Sequence, residues 1–303
     1  MTSRLHITRG VPGSGKSTHA RSWVDENPSR RIRINRDDLR FMLFGKYWGV
    51  DERAVTRVQD TLLRSALADG KDIILDNTNL QAKNVIDTLK IAAETHGVFV
   101  EFIDFPISFE EAVKRDAARD RTVGEDVIRS FFDRFLGGVK NPRFPETPRL
   151  PAEWSFEPHN LRVGLPDAVL VDIDGTLAHS NEYDVFDGRY FTKHGFDEIV
   201  AAAVSGFSAQ ANARVVIMSG RDSTYRAETE QWLADNDFGY DELHMRAVGD
   251  VRNDAVIKNE LFNKHIEGRY NALAVFDDRP RVVRLWQKKG IKVFNVGLMD
   301  IEF

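Results

Sequence analysis

The sequence predicts two α/β domains in series. Short apolar runs rich in β-branched and aromatic residues alternate with longer stretches of helical spacing. The alternation stops in a proline-rich segment near the middle of the chain and then resumes. At 303 residues there is room for two cored domains, since single cores rarely grow past about 250 residues.

The first half opens with the strand-like run "LHIT" (5–8), followed by the helix-like "KSTHARSWV" (16–24) and a second strand, "IRIN" (32–35). In "DERAVTRVQDTLLRSALADG" (51–70), Ala54, Val55, Val58, Leu62, Leu63 and Leu67 predict one apolar helix face, closed by Gly70. "DIILD" (72–76) and "VFVEFIDF" (98–105) predict two more strands, and Ser108 with Glu111 predicts a capping box opening another helix. Five of the ten prolines fall in "NPRFPETPRLPAEWSFEP" (141–158), which excludes a long helix or a central strand there. Strand-like runs then return: "AVLVDID" (168–174), "RVVIMSG" (214–220), "ALAVFDD" (272–278) and "KVFNVG" (292–297). The expected division is a first domain over 1–145, a linker over 146–165 and a second domain over 166–303, each a parallel sheet with flanking helices.

Composition narrows the chemistry. The chain is 42% hydrophobic and 29% charged, with a net charge of −5, so bulk charge does not mark a nucleic-acid binder. With no cysteine, a disulfide framework, a thiolate metal site and a cysteine nucleophile are all excluded. The amino terminus lacks the apolar core of a signal peptide and no run has the length of a membrane span, so a cytoplasmic protein is expected. Locally, "RRIRINRDDLR" gathers Arg30, Arg31, Arg33, Arg36 and Arg40, either as a solvated face or as a surface for a polyanion.

Gly10, Gly15, Lys16 and Ser17 fit G-x-x-x-x-G-K-[ST], within "GVPGSGKST". Gly10, Gly13, Ser14 and Gly15 let the backbone turn its N–H groups toward phosphate oxygens at the start of the following helix, which Thr18 continues. Lys16 then reaches the β- and γ-phosphates of ATP, and the Ser17 hydroxyl serves Mg²⁺. "INRDD" ends the second strand, making Asp37 a candidate base for an acceptor hydroxyl and Arg40 a ligand for an acceptor phosphate; alternatively Asp37 and Asp38 cap a helix. Asp76 ends the third strand, where it can serve the Mg²⁺ shell. Arg115 and Arg119, in "KRDAARDR", lie one helical turn apart and can lean over the phosphates or form a solvated face.

"VLVDIDGTLA" (169–178) carries different chemistry. Asp172 is placed to attack phosphorus as a carboxylate nucleophile, and Asp174 to protonate the leaving oxygen and then activate water. A dianionic phosphate repels such a pair, so a cation is required. Asp277 and Asp278, at another strand end, can complete a Mg²⁺ site with Asp172 and Asp174, or cap the helix that follows. Ser219, Gly220 and Arg221 end a third strand with a hydroxyl and a guanidinium suited to phosphate oxygens, and Lys258 adds positive charge.

Taken together, "PGSGKST", "INRDD", "TNL", "DIDGTLA", "SGR", "GDVRNDAVIK" and "DDR" resemble the bacteriophage T4-type 5′-polynucleotide kinase/3′-phosphatase family over nearly the whole chain. That resemblance implies a P-loop NTPase-type kinase fused to a haloacid-dehalogenase-type (HAD-like, Rossmannoid) phosphatase, using ATP and Mg²⁺ to heal RNA or DNA ends. It further implies Asp37 as general base, Arg40 on the acceptor phosphate, Arg119 as a lid over the donor phosphates and Asp172 as nucleophile. Asp174 becomes the acid/base, with Arg221, Asp254, Lys258, Asp277 and Asp278 around substrate and metal. The kinase acid before "TNL" aligns with Asp76 or Asn77. The arginine expected after the first phosphatase motif falls near Glu182, with Arg189 further on as a substitute. The family also implies a homo-oligomer, an RNA ligase as functional partner, no membrane, and the host cytoplasm if phage-encoded. Two other readings stand beside this one: a kinase/phosphatase for a phosphorylated metabolite, and a nucleotide-dependent binding module.

Overall fold

The protein's structure, a computed structural model, describes residues 2–95, 97–119, 121–180 and 188–297. It divides into two compact units, Met1–Ala152 and Glu153–Phe303. The proline-rich stretch is thus shared out at 152/153, and it is fastened down on both sides. In the first unit the Arg9 guanidinium donates to the Pro145 carbonyl at 2.8 Å; in the second His159 N donates to Lys289 O at 2.8 Å.

The first unit runs β1 (Ser3–Arg9), α1 (Lys16–Asp25), β2 (Arg31–Ile34), α2 (Arg36–Phe44), α3 (Glu52–Ala68), β3 (Asp72–Leu75), α4 (Ala82–Ala93), β4 (Val98–Asp104), α5 (Phe109–Ala117) and α6 (Glu125–Phe135). Its sheet has the order β2-β3-β1-β4 and is parallel throughout. Central β3 is buried at every position, as a strand covered on both faces must be, whereas edge strand β4 alternates. Ile7 of β1 and Ile34 of β2 both pair with Leu75 of β3. That register lines up the carboxyl ends of three strands, so the loop after β1, Asp76 after β3 and the start of α2 lie side by side.

The predicted face of α3 is shifted by part of a turn. Val55, Gln59, Leu63, Ala66 and Leu67 are buried while Leu62 is exposed, because Gln59 turns inward to accept a hydrogen bond from the Asn77 side chain at 3.2 Å. Half of the expected capping box forms. Ser108 Oγ accepts from Glu111 N at 3.2 Å, but the Glu111 carboxylate turns away to Arg115 at 2.7 Å.

The second unit holds β5 (Asp167–Val171), a β6 (Ala178–His179)–β7 (Gly195–Phe196) antiparallel pair, α7 (Glu198–Ala211), β8 (Arg214–Asp222), α8 (Arg226–Asp235), β9 (Glu242–Arg246), α9 (Asp254–His265), β10 (Asn271–Asp277), α10 (Pro280–Lys288) and β11 (Lys292–Asn295). The main sheet is parallel, in the order β11-β10-β5-β8-β9. Val171 pairs with Phe276 on one side and with Ile217 on the other, so β5 delivers Asp172 between the ends of β10 and β8. Val169, Val171, Ile217, Trp232 and Leu233 are among the residues that fill the core beneath it. Among the described residues no helix is long and apolar enough to cross a membrane.

Candidate functional site

In the first unit the glycine-rich loop connects β1 to α1. Gly13 has φ +86°, and a Cβ there would sit 2.6 Å from the Ala112 carbonyl of α5, so only glycine allows this approach. Gly15, at φ 96°, opens α1 without a side-chain cap, which leaves the positive end of the helix to a ligand. Lys16 is buried and folds back over the loop, donating to the Val11 carbonyl at 2.8 Å and to Ser14 Oγ at 3.2 Å. Burial pushes its ammonium down to about 8, Asp76 and Asp37 oppose that shift, and the nearby Arg119 adds to it. Ser17 is half-buried and Thr18, the next residue of the same turn, is exposed.

Asn35, not Asp37 or Asp38, caps α2, its side chain accepting from Asp38 N at 3.0 Å. This frees the Asp37 carboxylate, which pairs with Arg40 at 2.6 Å and with Arg121 at 2.5 Å. Arg40 in turn grips Glu52 at 2.7 and 3.0 Å, and the Arg40 and Arg36 guanidiniums hold that carboxyl down at about 2.

The arginine run does not form one polyanion surface. Arg30 pairs with Asp72 and Arg31 with Glu26, both toward the amino ends of the strands. Arg33 pairs with Asp76 at 2.7 Å and with Asp38, while Arg36 and Arg40 share Glu52. Each basic side chain in the run meets an acid, and of the five only Arg40 pairs with Asp37.

Asp76 and Asn77 part company. The Asn77 side chain is spent on structure, accepting from Arg36 N at 2.9 Å and donating to Gln59. Asp76 is buried, with one carboxylate oxygen on Arg33 and Asn35 and the other, Oδ1, without a partner. Arg115 is held by Glu111, yet its guanidinium lies 3.9 Å from where a Gly15 Cβ would be. Arg119 lies just past α5, nearly half exposed and only 3.9 Å from Asp116.

The second unit builds its site from charges buried together. Lys258 of α9 donates to Asp277 at 2.8 Å and lies 2.9 Å from the Asp172 carboxylate. Asp277 Oδ2 also accepts from Trp286 Nε1 at 3.1 Å, while Oδ1 accepts, among the described residues, only from Arg279 N at 3.2 Å and keeps a lone pair free for a cation. Burial raises the Asp172 carboxyl to about 7 against the pull of Lys258; Asp277, Asp278 and Asp174 push it further. Burial likewise raises Asp278. Asp174 goes the other way: burial opposes ionisation, but His194 and a two-pronged Arg221 at 2.7–3.0 Å hold it below the usual carboxylate range. Ser219 is fully buried and accepts from Arg221 N at 3.1 Å. Asp254 lines the same pocket and is engaged by Arg246 and Arg279, and Gly220 O accepts from Arg246. A Cβ on Gly175, at φ +85°, would collide with the Asp278 carboxylate; this turn brings Asp278 against the β5 end.

These residues fit a divalent cation on physical grounds. One carboxylate oxygen from each of Asp172, Asp277 and Asp278 lies within 4.8 Å of the others, and Asp172 Oδ1 is buried without a hydrogen-bond partner. Counting Asp172, Asp174, Asp254, Asp277 and Asp278 against Lys258, Arg221, Arg246 and Arg279, these side chains carry one more acid than base, an excess that a cation would relieve. The Asp174 carboxylate, turned to Arg221, stands outside that trio.

Comparison with known proteins bears on both units. Residues 166–300 match the family described as "Polynucleotide kinase PNKP phosphatase domain", and residues 5–142 match the family described as "AAA domain". A "Putative bifunctional polynucleotide kinase/RNA ligase" of Autographa californica nuclear polyhedrosis virus is 32% identical over 326 residues, covering 100% of this chain and 44% of its own length. A chain in a solved structure of the "Pnkp1/Rnl/Hen1 complex" is 30% identical, with 99% of this chain and 98% of that one covered and a TM-score of 0.49. A second structure, of the "Pnkp1/Rnl/Hen1 RNA repair complex", gives 30% identity, 99% and 97% coverage and a TM-score of 0.49. The chain thus joins an AAA-type domain to a polynucleotide kinase-type phosphatase domain.

Several side chains at the two sites carry no sequence signal. Arg121 lies beyond the end of α5, where helical spacing no longer predicts its direction, and Glu52 comes from the start of α3. His194 reaches Arg221 at 3.4 Å and Asp174 at 3.7 Å from the short segment before β7. Glu182 and the side chain of Arg189, the positions weighed for the arginine after the first phosphatase motif, lie outside the described residues.

Proposed function

We propose that the chain heals nucleic-acid ends, moving the γ-phosphate of ATP to a 5′-hydroxyl in its first unit and removing a 3′-phosphate, or a 2′,3′-cyclic phosphate, in its second. The observation that carries this reading is the joint presence of two complete phosphate sites in one chain: the Gly10–Thr18 loop, and the Asp172–Lys258–Asp277–Asp278 cluster inside a polynucleotide kinase-type phosphatase domain. The two activities do not cancel, because they act on different ends.

In the kinase half, the loop N–H groups and Lys16 cradle the donor phosphates, and Arg119 closes over them. Asp37 takes the proton of the 5′-hydroxyl while Arg40 holds the acceptor phosphate; Arg121 fixes the second Asp37 oxygen. Ser17 and Asp76 would hold Mg²⁺, which neutralises charge on the phosphates when bound. In the phosphatase half, Asp172 attacks phosphorus, with Lys258 keeping it ionised and in place, and an aspartyl-phosphate forms as the 3′-oxygen leaves. Asp174, ionised in the ligand-free pocket, first takes up a proton with the incoming phosphate; it passes that proton to the leaving oxygen and then takes one from the water that hydrolyses the acyl phosphate. Ser219 and Arg221 contact the transferring phosphoryl oxygens. A Mg²⁺ held by Asp172, Asp277 and Asp278 would screen the repulsion between nucleophile and phosphate.

RNA repair is the favoured setting, since a relative is part of an "RNA repair complex" and another combines kinase with RNA ligase. DNA ends, an RNA ligase partner, self-association and action in the cytoplasm belong to the same proposal. The test is an RNA oligonucleotide bearing a 5′-hydroxyl and a 3′-phosphate, incubated with protein, ATP and Mg²⁺ and followed by intact mass. A gained 5′-phosphate and a lost 3′-phosphate are expected. Unchanged ends, with ATP or a simple phosphate ester consumed, would move the search to phosphorylated metabolites.

A further inference from the structure

The stretch from Phe41 to Trp48 leaves large apolar groups in water. Phe41 is 52% exposed, Met42 65% and Trp48 63%, although each belongs to a residue type that folding normally buries. They are not scattered. Phe41 and Tyr47 stack with centroids 5.1 Å apart and planes 18° apart, and Trp48 meets Tyr47 edge-on at 5.8 Å. Gly45, at φ 65°, ends α2 and turns the chain so that Tyr47 comes back over Phe41.

This ladder is joined to the kinase acceptor side. Asp37 and Phe41 are four residues apart on α2 and so share a helix face. Arg121 connects them a second time: its guanidinium pairs with Asp37 at 2.5 Å and lies 3.9 Å from the centre of the Tyr47 ring. Exposed Lys46 adds a cation to the same turn. Exposed rings beside guanidinium groups, leading away from a candidate base, form the arrangement on which unpaired bases stack while cations follow the backbone.

We infer that Phe41, Tyr47 and Trp48 form a stacking platform for the bases next to the 5′-hydroxyl. This deepens the proposed function and rests on it. Trp48 and Phe41 carry the contact, Tyr47 fixes their spacing, and Arg121 couples the platform to Asp37.

Steady-state kinase assays test it with a single-stranded 5′-hydroxyl RNA and with the same RNA made abasic at its first two nucleotides. In the unaltered protein the abasic acceptor is expected to raise KM roughly ten-fold, the scale of one or two base–ring contacts. Trp48→Ala and Phe41→Ala are each expected to raise KM for the intact acceptor by a similar factor with kcat unchanged. In either variant the abasic penalty shrinks toward one, while Trp48→Phe retains it. Because both side chains are more than half exposed, truncation leaves the core alone, and the unchanged kcat reports an intact site. An abasic penalty as large in Trp48→Ala and Phe41→Ala as in the unaltered protein would overturn the platform. Self-association lost in Trp48→Ala without a change in that penalty would overturn it too, marking the patch as an interface between copies. If the unaltered protein phosphorylates no oligonucleotide, the kinase reading falls instead. Quenching of Trp48 fluorescence by the same RNA, absent in Trp48→Phe, then decides the platform separately.

Discussion

Lys16 and Lys258 are both buried, at 8% and 2% exposure, but the two units hold them in opposite ways. Lys258 sits between the Asp172 and Asp277 carboxylates, which outweigh burial and raise its pKa. Lys16 has only a carbonyl and a hydroxyl as hydrogen-bond acceptors, and burial lowers it to about 8. The difference follows from the neighbours: two buried carboxylates pair with Lys258, while Asp76 and Asp37 act on Lys16 without an ion pair. Under the proposed function, donor phosphates supply the anion that balances Lys16.

The sharpest way to use this contrast is to remove chemistry from one unit at a time. Asp172→Ala is expected to lower phosphatase turnover by roughly 10⁴-fold or more, the scale for losing a nucleophile, with 5′-kinase turnover unchanged. Lys16→Ala is expected to do the reverse. Both activities are measured on one oligonucleotide carrying both ends. Loss of both from either substitution would show that the two sites depend on each other.

The next largest effect is on stability. Replacing Lys258 by Met leaves Asp172 and Asp277 buried without their cation, and a loss of about 3–5 kcal/mol is expected. Lys16→Met removes a buried charge that has no ion pair among the described residues, only the more distant Asp76 and Asp37, so the ligand-free protein is expected to hold its stability or gain slightly. Urea denaturation of both variants reads the comparison directly. An equal loss at the two positions would mean that Lys16 has a buried anionic partner.

How much of this is legible in the sequence depends on distance along the chain. The Gly10–Thr18 loop and the Asp172–Gly175 turn are short, and their chemistry is set by local spacing between a strand and a turn. Their surroundings are built by tertiary contacts. Arg121 reaches Asp37 from 84 residues away, and Lys258 reaches Asp277 across 19 residues of helix and strand. The arginine run misleads for the same reason. Composition shows five cations together, while Glu26, Asp72, Asp76 and Glu52 arrive from other elements and neutralise them. The Arg246 and Arg279 partners of Asp254 are likewise supplied by the fold and have no signal in the spacing.

A smaller effect separates stability from function inside the phosphatase pocket. Asp278 is raised to about 6 by burial and by Asp277, so its charged form works against folding at neutral pH. Asp278→Asn is therefore expected to stabilise the cation-free protein by about 1 kcal/mol while removing phosphatase activity. Adding Mg²⁺ after chelation is expected to raise the melting temperature of the unaltered protein more than that of the variant. An identical Mg²⁺ response in the two would take Asp278 out of the cation site.

The smallest predicted signal returns to Lys16. In the folded, ligand-free protein it titrates near 8, below the ordinary lysine value of 10.5, so between those values the unfolded chain binds more protons. Stability from this group therefore rises with pH across that window. Donor phosphates placed against Lys16 favour its charged form, so ADP binding near pH 8.5 is expected to draw in a large part of one proton. Calorimetric titrations in buffers of different ionisation heat measure that uptake. Lys16→Arg, whose guanidinium stays charged throughout, is expected to bind without it. Equal proton uptake by Lys16→Arg would assign the proton to another group and leave Lys16 charged before the nucleotide arrives.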